Sequence, residues 1–288
     1  MQSFQGAVYL TQLDIIVILR AKKIIKAFKA RLGFANFPNI TNIVMYGVPN
    51  VKDKKKLIRE LGDNENVYNV SRSSGNLFIV HAFIRKLNEL DYLVSFIRKT
   101  GEISELTVGI DKGTAVFASF EKKKLSETDY LIIDSLKENS RKNISDISEE
   151  LGISTKTASR RLENLVNNHL VNFFIDWFPG HSNQMIPLIF LKFKSNLIID
   201  DDKLIEELRQ KYGSKILFIW SFSNLPNTKI VNFWVNNVNE ITEIENAFIN
   251  DDRFESVEVT IPIEGAIFPT WIEKELETKI QEIKKIDK

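Results

Sequence analysis

The chain has 288 residues, with 39 Lys and Arg against 38 Asp and Glu, a formal net charge of +1. That length supports more than one domain, and the balanced charge confines any nucleic-acid surface to a local patch. The absence of cysteine excludes disulfides, zinc-thiolate sites and thiol nucleophiles; no run reaches the roughly 18 apolar residues of a membrane span, and no basic start leads to a cleavage site, so a soluble cytoplasmic protein with no membrane partner is expected.

Residues 1–36 combine two patterns. Segment 10–20, LTQLDIIVILR, aligns in type with 125–135, LSETDYLIIDS, through Leu10/Leu125, Thr11/Ser126, Asp14/Asp129, Val17/Ile132 and Ile18/Ile133. A basic run follows: Arg20, Lys22, Lys23, Lys26, Lys29 and Arg31, interleaved with Ile24, Ile25 and Phe28. No room remains for a second helix. The segment reads as a degenerate helix-turn-helix that lost its middle, or as a basic amphipathic packing helix; a membrane-surface helix is a third reading.

Residues 37–121 change period. Strands are expected over 43–48, 67–71, 77–84 and 106–110. Helices are expected over 53–61, with Leu57, Ile58 and Leu61 inward, and over 87–99, with Leu90, Leu93, Val94 and Ile97 apolar. The turn Ser73-Ser74-Gly75-Asn76 separates the middle strands. The order β-α-β-β-α-β is a ferredoxin-like unit.

Residues 122–180 read as three short helices. Ser126 and Asp129 have the spacing of a capping box, and Ile132, Ile133 and Leu136 share a face. Ser145 is placed to cap a second helix with Ile147 and Leu151 inward, and Gly152 suits its end. Ser154 caps a third, with Ala158, Leu162, Leu165 and Val166 as its inner face. Its outer face carries Ser154, Thr155, Lys156, Thr157, Ser159, Arg160 and Arg161. Hydroxyls and backbone N–H groups at a helix start suit phosphate oxygens, and Arg pairs bidentately with guanine edges. Lys156 in the first turn opposes the helix dipole, a conflict that an anionic partner removes. Double-stranded DNA is the expected partner.

Residues 181–266 repeat the β-α-β-β-α-β order. Strands are expected over 185–193, 216–222, 230–235 and 257–261, and helices over 202–212 and 241–248. Lys203-Leu204-Ile205-Glu206-Glu207-Leu208 echoes Lys56-Leu57-Ile58-Arg59-Glu60-Leu61, 147 positions earlier. Internal repetition of this kind makes the chain two fused copies of head plus unit with one head eroded. Residues 267–288 hold a charged C-terminal helix, 271–286. The fold class is therefore α+β: a helix-turn-helix, winged on the resemblance described next, flanked by two ferredoxin-like domains.

The run 125–171 resembles the winged helix-turn-helix of the Lrp/AsnC (feast/famine) transcription regulators. The matching positions include Leu125, Asp129, Ile132, Leu136, Arg141, Ile144, Ser145, Leu151, Ile153, Ser154, Arg160, Arg161, Leu162 and Leu165. Where that family usually has Gly after the recognition helix, this chain has His169, preceded by Asn167 and Asn168. The resemblance implies a sequence-specific DNA-binding regulator and adds Arg141 to the DNA-contacting set. It also implies a small-molecule effector near the turn Ser73, Ser74, Gly75, Asn76. Gly75 matches the family's Gly there, but no acid follows, and Pro226 and Asn227 replace the pattern in the second unit. Two half-sites need two heads, so one intact head per chain predicts a homodimer.

No catalytic constellation stands out. His81, His169 and His181 lack metal-ligand spacing; His81 reads as a packed or effector-facing strand residue. Glu149, Glu150, Glu206 and Glu207 read as exposed helix charges. Phe173, Phe174, Trp177 and Phe178 read as an apolar joint between head and second unit, with a single-strand stacking platform as the alternative. No cofactor, no metal and no enzymatic activity are expected. Two alternatives stay open. The siroheme decarboxylases of an alternative haem pathway share the head-plus-unit architecture, and a pure assembly partner of other regulators would too. Retention of Lys156, Arg160 and Arg161 favours the regulator.

Overall fold

A computed structural model describes residues 25–113, 123–177 and 184–286. Segment 10–20 and His181 lie outside them. The first described element is a strand, β1 (Ile25–Leu32), which corrects the helical reading of the basic run from Ile25 on; Lys22, Lys23 and Ile24 lie outside the described residues. Phe28, Ala30 and Leu32 are buried at a spacing of two while Ala27 and Lys29 are partly exposed, and that is the period of a strand.

The first unit follows as β2 (Thr41–Gly47), α1 (Lys54–Gly62), β3 (Val67–Ser73), β4 (Phe78–Ile84), α2 (Leu90–Gly101) and β5 (Leu106–Ile110). Asp53 caps α1 by accepting from the Lys56 amide at 2.9 Å, and Leu57, Ile58 and Leu61 are buried as their spacing requires. The second unit is β7 (Leu188–Phe193), α6 (Asp201–Tyr212), β8 (Ile216–Ser221), β9 (Thr228–Phe233), α7 (Val238–Ile249) and β10 (Phe254–Thr260). Asp200 and Asn237 cap its helices through the Lys203 and Glu240 amides. Both sheets are antiparallel with equivalent strand orders, β3-β4-β2-β5 and β10-β7-β9-β8.

The two sheets pack against each other within the chain. Val44 and Ile79 of the first meet Leu188, Phe222 and Ile230 of the second, with Tyr46, Phe190 and Trp220 alongside. The Tyr46 and Phe190 rings meet edge-on at 5.0 Å. Gly109 permits the approach, because a Cβ there would lie 2.5 Å from the Phe222 ring. Reciprocal clamps hold the pair. Asn224 accepts from the Ile110 amide at 2.8 Å and donates to the Val108 carbonyl at 2.7 Å. At the other end a further strand, β11 (Pro262–Ile267), leaves the second unit and joins the first sheet beside β3. Its Glu264 pairs with Arg72 at 2.7 Å. The sequence reading missed β11, whose Pro and Gly look like a loop.

The head contains α3 (Glu127–Leu136), α4 (Ile144–Leu151) and α5 (Thr155–Asn167), followed by β6 (Val171–Trp177). β6 pairs antiparallel with β1, and Phe28 faces Ile175, 147 positions later. The wing strand after the recognition helix is thus paired with a strand from the start of the chain. Deleting residues 1–31 would remove most of that ladder. The C-terminal helix α8 (Trp271–Ile286) packs on the head: Trp271, Ile272, Leu276, Ile280 and Ile283 share one apolar core with Leu32, Phe83, Ile132, Ile133, Leu136 and Leu165. The Trp271 indole donates to the Phe83 carbonyl at 2.8 Å, tying head, α8 and first sheet together.

Candidate nucleic-acid interface and a buried polar cluster

The helix-turn-helix is built by local signals. Ser126 and Asp129 form the expected capping box at the start of α3. The N-cap of α4 is Asn143 rather than Ser145, which lies inside the helix, and the C-cap is Gly152 in the left-handed region, φ 62°. Ser154 caps α5 by accepting from the Thr157 amide at 3.2 Å. Ala158 and Leu165 are fully buried, whereas Val166, read as inward, is 40 % exposed. After α5 the turn is made by His169 itself, at φ 55°, in place of the glycine of the resembled family. Gly33 lies against that turn, and a Cβ on it would meet the His169 carbonyl oxygen at 2.0 Å.

The eight residues assigned to DNA separate by role. Thr155, Lys156, Ser159 and Arg160 are exposed on one face of α5. Arg141 is exposed too, its guanidinium 4.0 Å from the Phe28 ring centroid. The hydroxyls of Ser154 and Thr157 lie 2.9 Å apart within the cap. Arg161 turns inward: it donates to the Ser126 hydroxyl at 2.8 Å and to the Asp129 carboxylate at 3.2 Å. Between residues 123 and 177 there are eight Lys and Arg against nine Asp and Glu. Positive charge is therefore confined to one face and is not a property of the whole head. Glu150 is engaged rather than idle: Lys142 and then the Ser135 hydroxyl hold its carboxyl below the usual range.

The turn assigned to an effector serves as a clamp. The Ser74 hydroxyl accepts from the Ile261 amide at 3.0 Å and meets the Thr260 hydroxyl at 3.0 Å, fixing the crossing from β10 to β11. Gly75 and Asn76 take the left-handed conformation this turn needs, at φ 68° and 61°. Ser73 is buried with no partner for its hydroxyl.

A second cluster, which sequence reasoning missed, lies where β1, β3, β4 and α8 meet beside the second sheet. Arg31 is 8 % exposed. Its guanidinium carbon lies 4.9 Å from the Phe83 and Phe174 rings, 5.1 Å from Phe34 and 5.8 Å from Tyr68. Phe174, read as part of an apolar joint, is partly buried here while Phe173 is exposed. Tyr68 stacks on Phe83 at 4.2 Å, and burial pushes its hydroxyl well above the usual range. His81 sits 5.6 Å from the Tyr68 ring and 5.2 Å from Trp220 of the second unit. Its Nδ1 has no hydrogen-bond partner, and burial lowers its pKa to about 4. No sequence motif connects these residues, because they come from β1, the turn after it, β3, β4, β6 and β8. Among the described residues no cluster of His, Asp or Glu is placed to hold a metal, and no helix is long and apolar enough to cross a membrane.

Comparison with known proteins sets this geometry in context. Residues 125–172 match a family model described as winged helix-turn-helix DNA-binding. No protein of curated function matches the chain. Among solved structures, that of the siroheme decarboxylase NirDL covers 94% of this chain and 88% of its own, with 9% identity and a TM-score of 0.57. NirDL in complex with an iron-uroporphyrin III analogue covers the same shares at 8% identity and the same TM-score. The structure of AsnC from E. coli covers 49% of this chain and 94% of its own, at 13% identity and a TM-score of 0.38. The expectation of no enzymatic activity is overturned by this comparison, since the structures matched over nearly the whole chain are those of an enzyme. The chain carries a winged helix-turn-helix DNA-binding domain on an α+β body whose fold is that of NirDL.

Proposed function

We propose that the chain is a sequence-specific DNA-binding transcription regulator of the Lrp/AsnC type, in which one reading head is mounted on two fused ferredoxin-like units. The observation that carries this reading is the exposed face Thr155, Lys156, Ser159 and Arg160 on a helix whose inner side is locked by Arg161 and Asp129. Four short or cationic side chains on a rigid helix suit a major groove. A random-pool DNA selection with the purified chain tests it. A recovered motif should be lost, or bound at least about tenfold more weakly, when Lys156 and Arg160 are both replaced by Ala. Equal binding by that variant refutes the assignment.

Assembly follows from the same reading. The sheets already pair within one chain, so a second head needs a second chain. The regulator is a homodimer, and light scattering should give twice the mass of one chain. Two heads then contact half-sites one DNA turn or a multiple apart.

The buried cluster supports a second reading, that of an enzyme acting on a tetrapyrrole, as the matched solved structure does by name. Arg31, Tyr68 and His81 offer a cation, a hydroxyl and a neutral imidazole in one aromatic-lined place, groups suited to hold a carboxylate and to move a proton. Titration with siroheme followed by absorbance tests this reading. A saturable spectral change lost in Arg31→Gln supports it, and an unchanged spectrum removes it.

A further inference from the structure

Among the described residues, Arg31 is a buried cation with an unpartnered donor. A guanidinium has five N–H donors and stays charged, and burying it is costly unless acceptors surround it. Its Nε is buried with no acceptor. The nearest carboxylate oxygen, Glu273 Oε1, stands 3.7 Å from Nη1, beyond hydrogen-bond distance. Glu273 is not free to come closer. Its other oxygen accepts from the Thr270 amide at 2.7 Å and the Thr270 hydroxyl at 2.6 Å, which caps α8. The four rings around the guanidinium supply cation–π attraction, and the Phe rings among them carry no acceptor.

We propose that Arg31 is the anchor of a binding site for a small organic carboxylate with a flat apolar body, and that this ligand takes over the role Glu273 fills loosely. A carboxylate pairs with a guanidinium through two parallel hydrogen bonds, which would satisfy the orphaned Nε. Phe34, Phe83, Phe174 and Tyr68 grip the flat body, and this sets an aromatic acid apart from acetate or inorganic phosphate. Since Glu273 lies in the first turn of α8, and α8 packs on the head, the ligand's arrival changes what anchors that helix. The site is therefore placed to report ligand to the DNA-binding domain.

The experiment is calorimetric titration of the full chain with benzoate, acetate and inorganic phosphate, each alone. Benzoate should saturate one site with Kd on the order of 1 mM or tighter, and acetate and phosphate should bind at least about tenfold more weakly. Arg31→Gln should weaken benzoate at least about tenfold. Glu273→Gln keeps an oxygen for the Thr270 cap but removes the competing charge, so it should tighten benzoate by about threefold or more. A merely structural Arg31–Glu273 contact predicts no tightening. Absence of benzoate binding by the parent chain, equal binding of phosphate, or unchanged affinity in Glu273→Gln overturns the proposal. The titration contains neither DNA nor tetrapyrrole, so its failure and that of either reading above are distinguishable.

Discussion

Arg161 was grouped with the DNA-reading side chains, yet it lies on the inner side of α5, and replacing it by Ala separates the two roles. Asp129 is 3 % exposed and accepts from the Ser126 amide at 2.9 Å, from the Ser126 hydroxyl at 2.7 Å and from Arg161 at 3.2 Å. Removing one partner of a fully buried pair costs about 3–5 kcal/mol. The Arg161 side chain is 33% exposed, which screens the attraction, and Asp129 keeps both bonds from Ser126. We therefore expect a loss of about 2 kcal/mol, a fall of about 4–8 °C in Tm at roughly 2–4 °C per kcal/mol. The Asp129→Ala/Arg161→Ala double variant should lose less than the sum of the singles. In a mobility-shift assay at a temperature where all variants are folded, Arg161→Ala should keep its affinity within about threefold, while Arg160→Ala loses about 5- to 150-fold. Unchanged Tm together with abolished DNA binding in Arg161→Ala would refute the reasoning and make Arg161 a reader.

Three further outcomes follow from packing and burial. His81 is neutral in the folded chain with a pKa lowered to about 4 by burial, against about 6.5 unfolded. The unfolded chain thus binds the extra proton first. Stability is intact above about pH 6.5 and falls by up to about 3 kcal/mol as pH drops towards 4; thermal melts of the parent should steepen over that window and those of His81→Gln should not. Trp271→Ala removes a buried ring and the bond to the Phe83 carbonyl, at about 3–5 kcal/mol, and should loosen the head first, read by amide exchange in α3. Gly109→Ala drives a methyl into the Phe222 ring and should cost about 1–3 kcal/mol, read as a lower denaturant midpoint with unchanged slope.

Much of the fold was legible because its helices and strands carry their own punctuation. Ser126, Asp53 and Gly152 mark ends that the structure keeps. The first strand was hidden by lysines at helical-looking spacing around Phe28. β11 was invisible because its partner, β3, lies nearly two hundred positions earlier, and no local pattern carries that information. Arg161 could have been placed correctly. It stands three residues after Ala158 and four before Leu165, on the buried face by helical geometry. The Arg31 cluster could not, since Arg31, Tyr68, His81 and Trp220 share no periodicity and meet only through tertiary packing.

The crossing of β11 also bears on how the chain reaches this state. The head draws α3, α4 and α5 from neighbouring stretches of sequence, but its core is completed only when α8 arrives. The first sheet cannot close early: until residues 262–267 emerge, β3 remains an open edge with unpaired amides and carbonyls. Long-range pairing of this kind slows folding, and the waiting edge is the surface through which partly made chains would stick to one another. During synthesis the vulnerable part of this molecule is its first unit, not its last.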